Sequence, residues 1–242
     1  MQNTRMATRA AKTAADMPTD DHIVGMVVKA RAVMAWYADE IAAHGQARID
    51  EAVTALAWSI YEPARDHWID EQSPVRPASY NRTVLDAETA VSRVSAAGKV
   101  GIVLRFAYFY GPDSDFSQDA VAMVRRGRAP MLGDPDGYFS SVEHDDAARA
   151  VVAALDLPAG VYNVSDDEPV TRRIFVDAIA LALGVPPPRF FPRWVPTVAV
   201  PVAETLSRSQ RISNRKLRAT SRWVPRYHSA REGWAAVLGR LL

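Results

Sequence analysis

Apolar residues recur along this chain at two different periods, and each change of period separates predicted strands from predicted helices. Residues 22–43 place apolar side chains three and four positions apart, which predicts an amphipathic helix. Residues 52–61 form a continuous, partly β-branched apolar run, which predicts a buried strand. Helical spacing returns at Tyr80 and ends near Gly98, and residues 100–106 predict a second buried strand.

The same order of strand, helix and strand recurs in the second half of the chain. Residues 138–142 predict a short strand, residues 145–156 a helix, and residues 161–164 another strand. Thr171 has the chemistry of an N-cap for a helix that ends near residue 183. Strands that alternate with helices of this length predict βαβ units and a mainly parallel sheet, flanked by helices on both faces.

Composition adds a prediction of the domain organisation to this α/β pattern. With 242 residues, of which 48% are hydrophobic and 24% charged, the chain has the make-up of a globular protein with a substantial core. Residues 1–21 predict a flexible tail, and residues 22–242 predict one α/β domain. Within that domain, the proline-rich stretch from residue 185 and the amphipathic helix 229–241 predict a small C-terminal lobe, about 185–242.

Charge and cysteine content exclude several classes of function. The net charge is +1, so no global field draws the protein to nucleic acid or to an anionic membrane. No apolar run is long enough to span a bilayer, and the absence of cysteine excludes disulfides and thiolate metal sites. The five histidines lack metal-ligand spacing, so we expect no metal. We therefore expect a soluble, cytoplasmic protein.

Ordered motifs then supply a family resemblance. Residues 103–112 (VLRFAYFYGP), 141–150 (SVEHDDAARA) and 160–171 (GVYNVSDDEPVT) resemble three successive segments of the NAD(P)-dependent epimerase/dehydratase family of extended short-chain dehydrogenases/reductases. Residues 211–217 and 223–225 look like the end of these proteins. The resemblance covers roughly residues 48–242 and implies a Rossmann-like sheet with a C-terminal substrate lobe, truncated at the N-terminus.

The resemblance also implies a catalytic site, which this sequence matches only in part. The family uses a Tyr-x-x-x-Lys pair, in which the lysine lowers the pKa of the tyrosine acid/base and holds the nicotinamide ribose. Here Tyr80 matches the tyrosine, but Val84 stands at the lysine position, and Arg82 lies on another side of the helix. Two hydroxyls are available to orient the substrate, those of Thr54 and Ser59, and Ser59 is the preferred candidate. Arg211 matches arginines that reach anionic groups of nucleotide-sugar substrates in relatives.

Cofactor binding is the weakest part of the match. NAD(P) is implied by the family, yet no glycine-rich dinucleotide loop occurs anywhere in the sequence. The 47 residues before the matched region are too few for the strands and helices that normally precede it. We therefore expect the first βαβ half to be deleted or replaced and dinucleotide binding to be weak or absent, so no cofactor-binding residue is assigned.

Three functions remain open from the sequence. The first is a divergent epimerase/dehydratase-like protein, an oxidoreductase or isomerase by descent, whose activity on a nucleotide-sugar or similar small polar substrate is reduced or lost. The second is a non-catalytic binding or assembly protein, a pseudoenzyme that forms a homodimer or pairs with a partner through an exposed sheet edge. The third is an enzyme with a rebuilt, cofactor-independent site that uses Tyr80 or Glu143 as the base.

Overall fold

The structure, a computed structural model, describes residues 51–78, 81–191 and 206–241, with the backbone alone for residues 51–56, 58 and 59. All of these belong to one unit, Gln46–Leu242. The predicted tail over 1–21 and the predicted helix over 22–43 lie outside the described residues. The domain boundaries proposed from the sequence therefore stay predictions.

Strands and short helices alternate along the described part. The strands are β1 (Glu51–Leu56), β2 (Trp68–Ile69), β3 (Gly101–Phe106), β4 (Tyr108–Tyr110), β5 (Tyr138–Phe139), β6 (Ser141–Glu143), β7 (Gly160–Val164), β8 (Val170–Thr171) and β9 (Arg211–Ile212). The helices are α1 (Ala57–Ile60), α2 (Thr83–Ala96), α3 (Asp115–Arg125), α4 (His144–Ala154), α5 (Arg172–Leu183), α6 (Arg215–Thr220) and α7 (Ala230–Leu241).

The central sheet is parallel and has the order β1-β3-β7. Every residue of β3 is buried, and its side chains alternate between two helical layers. Ile102, Leu104 and Phe106 pack in one cluster with the alanines of α4, whereas Arg105 points the other way and binds Glu88 on α2. Helices therefore cover both faces of the sheet, as the sequence pattern predicts.

Beside this sheet, the described part contains three further pairs of strands, each strand two to three residues long. β4 pairs with β6 and β2 with β9 in parallel, and β5 pairs with β8 antiparallel. The Rossmann-like α/β class predicted from the sequence is thus confirmed. Among the described residues, none of the helices has the length and apolar character that crossing a lipid bilayer requires.

Most predicted elements occur close to their expected bounds, with three differences. The run 52–61 is a strand only to Leu56, because the chain turns into α1 at Ala57. The segment 138–142 divides into β5 and β6. Helix α3 has no counterpart in the sequence prediction, although Ala120, Val121 and Val124 give it a buried face. The N-cap at Thr171 is confirmed, since its hydroxyl accepts the Ile174 N–H.

A second core joins the C-terminal helix α7 to α5 and β4. The rings of Tyr110 and Trp234 stack with centroids 5.4 Å apart, and Phe175 meets both edge-on. This packing brings α7 so close to β4 that a Cβ atom on Gly233 would overlap the Tyr110 hydroxyl. Gly239, farther along the same helix, has open space at the corresponding position.

The two glycines of α7 therefore predict opposite effects of the same substitution. Gly233→Ala is expected to destabilise the fold by about 1 to 3 kcal/mol, because the added methyl group overpacks the contact with Tyr110. Gly239→Ala is expected to stabilise it by about 0.5 to 1 kcal/mol through helix propensity alone. Urea unfolding of both variants measures the difference. Equal effects of the two substitutions would contradict this packing of α7.

Candidate functional site

Of the three residues predicted for the site, the structure describes Ser59 and Arg211. Tyr80 is not among the described residues. Ser59 lies in α1, with only its backbone described, and Arg211 lies in β9. The strand predicted over 52–61 does not extend to Ser59, because residues 57–60 are helical and the Tyr61 N–H bonds the Ala57 carbonyl at 3.2 Å.

The lysine position of the family motif lies inside the protein. Val84 is buried and packs against Ile60 at the end of α1. Arg82 is exposed at the N-cap of α2 and so does not substitute for a lysine at this position. Within the described residues, the side chain at the lysine position is thus apolar and directed into the core.

A charged network occupies the sheet next to this position. Arg105, at the carboxyl end of β3, binds Glu88 of α2 through two parallel bonds, Nε to Oε1 at 2.8 Å and Nη2 to Oε2 at 2.7 Å. Its Nη1 donates to the Tyr61 hydroxyl at 2.8 Å, and that hydroxyl donates to Asn163 of β7 at 2.7 Å. Bidentate pairing of this kind is the strongest geometry for a buried guanidinium.

The network shifts the pKa values of its members. Burial raises the pKa of the Tyr61 hydroxyl to about 12, although the adjacent Arg105 charge opposes the shift. Burial alone would lower the pKa of Arg105, but the bonds to Glu88 outweigh it and raise that pKa. Tyr61 is thus a neutral hydrogen-bonding group at physiological pH and is unsuited to act as a base.

The carbonyl of Tyr61 accepts hydrogen bonds from two side chains that line a small cleft. Arg208 Nη1 donates to this carbonyl at 3.0 Å, and Gln210 Nε2 donates to it at 2.8 Å. We call this space the aromatic cleft, and its lining comprises Tyr108, Tyr138, Phe139, Ser140, Arg172, Leu206, Arg208 and Gln210. Three rings and two guanidinium groups thus line a cavity of about 10 Å³, which has room for a single water molecule.

Arg172 is the most deeply buried cation of the aromatic cleft, with 1% of its surface exposed. It is the first residue of α5, and its guanidinium donates to the carbonyls of Leu206 and Arg208 at 2.9 and 2.7 Å. Burial lowers the pKa of Arg172 to about 10, so the side chain is still charged at neutral pH. A Cβ atom on Gly137 would lie 2.7 Å from Arg172 Nη1, so glycine at this position makes room for the guanidinium.

Arg211 lies beside the aromatic cleft and is held by two rings. Parallel pairing of β2 with β9 sets Trp68 opposite Arg211. The guanidinium carbon lies 4.0 Å from the centre of the Trp68 ring and 4.8 Å from that of Tyr138, which itself lines the cleft. Stacking on two aromatic faces is a favourable setting for a guanidinium.

Glu143, which the sequence offered as an alternative base, has a structural role, and so does the nearby Asp146. Glu143 is fully buried, caps α4 by accepting the Asp145 and Asp146 N–H groups, and pairs with Arg240 at 2.6 Å. Asp146 accepts the Arg226 and Tyr227 N–H groups. Glu143 is therefore committed to the start of a helix, which leaves it poorly placed to act as a base.

The residues described do not fit a dinucleotide. In the described ranges no glycine-rich loop precedes a helix, and the position that would hold the nicotinamide ribose is the buried Val84. Nor do the side chains described include a cluster of histidine and acidic residues suited to a metal ion. The cations described near the cavity and β9 are those of Arg172, Arg208 and Arg211.

Sequence reasoning named Arg211, whose role in binding stays a prediction, and did not name Arg172 or Tyr61. Arg172 follows the predicted N-cap Thr171, and such a position normally carries an exposed side chain. No local pattern signals that an arginine there is buried against a segment more than thirty residues away. Tyr61 ends an apolar run, which predicts burial but not its bonds with Arg105 and Asn163.

The sequence of this chain is similar to that of a known protein. The chain is 30% identical over 171 residues to a 3-diazoavenalumate denitrifying reductase from a Streptomyces species, which covers 69% of this chain and 55% of that protein. It therefore spans about half the length of that curated relative. No profile of a known protein family matches the chain.

Solved structures give the same result. The UDP-glucose 4-epimerase of Thermus thermophilus, solved with NAD, has 26% identity and a TM-score of 0.62, over 78% of this chain and 63% of that one. A conserved protein of unknown function from Silicibacter pomeroyi has 25% identity and a TM-score of 0.62, over 86% of this chain and 72% of that one.

These likenesses define a class of fold and show to which proteins the chain is related. The class is that of α/β proteins with a Rossmann-like parallel sheet. Within it, the chain is a relative of the NAD(P)-dependent epimerases and dehydratases of the extended short-chain dehydrogenase/reductase type.

The raised pKa of Tyr61 predicts how stability responds to alkaline pH. A tyrosine ionises near pH 10 in the unfolded chain and near pH 12 here, so the folded state favours the protonated hydroxyl. This contribution, about 2 to 3 kcal/mol, is fully present below pH 10 and is lost as the pH rises to 12. Unfolding free energies measured from about pH 9 to about pH 11.5 should therefore fall more steeply in the wild type than in Tyr61→Phe.

Tyr227→Phe is the matched control, because Tyr227 is only partly buried. It should reproduce the slope of the wild type. Parallel curves for the wild type and Tyr61→Phe would disprove the assignment of the raised pKa to Tyr61.

Proposed function

We propose that this protein is a divergent relative of the NAD(P)-dependent epimerases and dehydratases that binds a small polar molecule beside β9 of its C-terminal lobe, with oxidoreductase activity reduced or lost. The proposed loss of oxidoreductase activity rests on one observation. The lysine position is Val84, buried against Ile60. A tyrosine at position 80 would therefore lack the cation that makes a phenol a useful base near neutral pH.

The surroundings of Arg211 support the first part of the proposal. Its guanidinium is held against two aromatic rings, 4.0 Å from the centre of the Trp68 ring and 4.8 Å from that of Tyr138. A side chain that is fixed in this way binds with little loss of conformational entropy. Loss of the nicotinamide chemistry does not require loss of such a site.

A second candidate function is an active NAD(P)-dependent reductase. It is favoured by the 30% identity to a protein named as a denitrifying reductase. In that case residues outside the described ranges would provide the dinucleotide site. Pairing through the edge of β1, which bonds only β3 among the described strands, is the corresponding proposal for a homodimer or an assembly protein.

Dinucleotide binding separates these proposals. Thermal unfolding of the full 242-residue chain is measured with NAD+, NADH, NADP+ and NADPH at up to millimolar concentration, with AMP as the control for ionic effects. Binding at one hundred times Kd would add about 2.7 kcal/mol. For a chain of this size that corresponds to a rise of about 5 to 10 °C.

We expect no rise with any of the four dinucleotides beyond that seen with AMP. A rise in the unfolding midpoint that grows with the concentration of one dinucleotide would refute the loss of cofactor binding and favour the reductase. Sedimentation velocity on the same samples tests the dimer, which requires a sedimentation coefficient that increases with protein concentration.

A further inference from the structure

Arg172 carries a positive charge that the protein buries without an opposite charge beside it. The residue is 1% exposed, and its Nη atoms donate to the backbone carbonyls of Asp134, Leu206 and Arg208. Among the described residues, no carboxylate forms an ion pair with this guanidinium, and that of Asp134 acts on it only from farther away. Carbonyl dipoles therefore solvate Arg172 without neutralising its charge.

A buried cation in this state lowers the stability of the fold. The desolvation of an ion is offset only when an opposite charge and hydrogen bonds replace its hydration shell. Burial lowers the pKa of Arg172 to about 10, in line with this cost, yet the side chain stays charged at neutral pH. An anion next to the guanidinium would supply the missing opposite charge.

The aromatic cleft gives such an anion a place beside the guanidinium. Its volume of about 10 Å³ has room for a single water molecule, and Arg172 and Arg208 both line it. Arg208 is itself fixed, because its Nη1 atom donates to the carbonyls of Tyr61 and Arg76. Two guanidinium groups held by backbone carbonyls thus border one small cavity, and no carboxylate is among its lining groups.

The lining of the cleft also provides hydrogen-bond donors for an anion. The Nε atom of Arg172 is buried without a hydrogen bond. Gln210 uses one of its two amide hydrogens on the Tyr61 carbonyl, at 2.8 Å. The Ser140 hydroxyl, in contrast, is already engaged, since it donates to the Gln210 carbonyl and accepts the Ile212 N–H. Positive charge and unused N–H groups favour an anion in this space over a cation.

The size of the cleft restricts the anion to a single atom. Phosphate, sulfate and carboxylates all need more space than one water molecule occupies. Chloride exceeds a water molecule by only a few tenths of an ångström in radius, and Leu206, a lining residue that is only partly buried, can move by that amount. Fluoride is smaller still, but a smaller ion loses more hydration free energy when it leaves water.

We propose that the aromatic cleft binds one chloride ion, which neutralises Arg172 and accepts hydrogen bonds from its Nε atom and from the amide of Gln210. The ion has a structural role. It stabilises the charged arginine that bonds the carbonyls of residues 206 and 208 and so holds the segment that leads into β9. This site goes beyond the proposed function and does not depend on it, because the ion is not a substrate.

A halide series tests the ion on the full-length protein. Thermal unfolding is measured while sodium chloride replaces sodium gluconate at constant ionic strength, and fluoride and iodide are compared in the same way. A ligand that binds only the folded state raises the unfolding midpoint with its concentration. We expect chloride to raise the midpoint, fluoride to raise it less because of its hydration, and iodide to have no such effect because of its size. The line width of the chloride NMR signal, which broadens on binding, reports the same event directly.

Two matched pairs of variants test the location. Leu206→Glu and Leu206→Gln differ by one charge at a partly buried position that lines the cleft. The glutamate would place a carboxylate near Arg172 and should weaken chloride binding at least about tenfold, whereas the glutamine should respond as the wild type does. Arg172→Gln should abolish the response to chloride. Arg231→Gln removes an equal charge from an exposed pair with Glu168 and should leave the response unchanged.

Three results would overturn the proposal. The first is a midpoint and a line width that do not depend on chloride, in which case the cleft holds water. The second is an equal response to fluoride, chloride and iodide, which indicates a general effect of salt. The third is an equal response in Leu206→Glu and Leu206→Gln, and this pair decides the matter even if Arg172→Gln does not fold. None of these results bears on the dinucleotide titration, so the two proposals fail separately.

Discussion

The pairing of Arg105 with Glu88 is the interaction on which the described structure depends. It neutralises a charge placed at the end of the fully buried strand β3, where an unpaired guanidinium would cost several kcal/mol. The same guanidinium fixes the Tyr61 hydroxyl, which in turn bonds Asn163 on β7. Through its carbonyl, Tyr61 then positions Arg208 and Gln210. One ion pair therefore links α2, the central sheet and the aromatic cleft in a continuous series of bonds.

Sequence patterns predicted the framework well because the framework follows local rules. Apolar runs and period-3.6 spacing identified β3, β7, α2 and α5 close to their bounds, and Thr171 indicated the start of its helix by cap chemistry alone. The run 52–61 misled because residues 57–60 are apolar in either a strand or a short buried helix. Helix α3 was missed where Ser114 and Asp115 begin it after a stretch rich in turn residues.

The candidate site was predicted less well, for a physical reason. Arg172, Tyr61 and Gln210 acquire their roles through bonds between segments far apart in the chain, and no local signal encodes such bonds. Arg211 was identified by family likeness, yet its stacking between Trp68 and Tyr138 depends on the register of β2 with β9. Val84 departs from the family motif at the lysine position, a change that the sequence displays and whose burial only the fold explains.

Gly137 ties the cleft to a single sequence position in a way that extends to relatives. A side chain there would press on Arg172 Nη1 and on the Asp134 carbonyl at once, so the residue that spaces this loop also decides where the guanidinium rests. A homologous chain with a larger residue at this point has to move the arginine, the loop or both. The residue at this one position thus distinguishes related chains that keep the geometry around Arg172 from those that have lost it. The distinction requires no knowledge of a ligand.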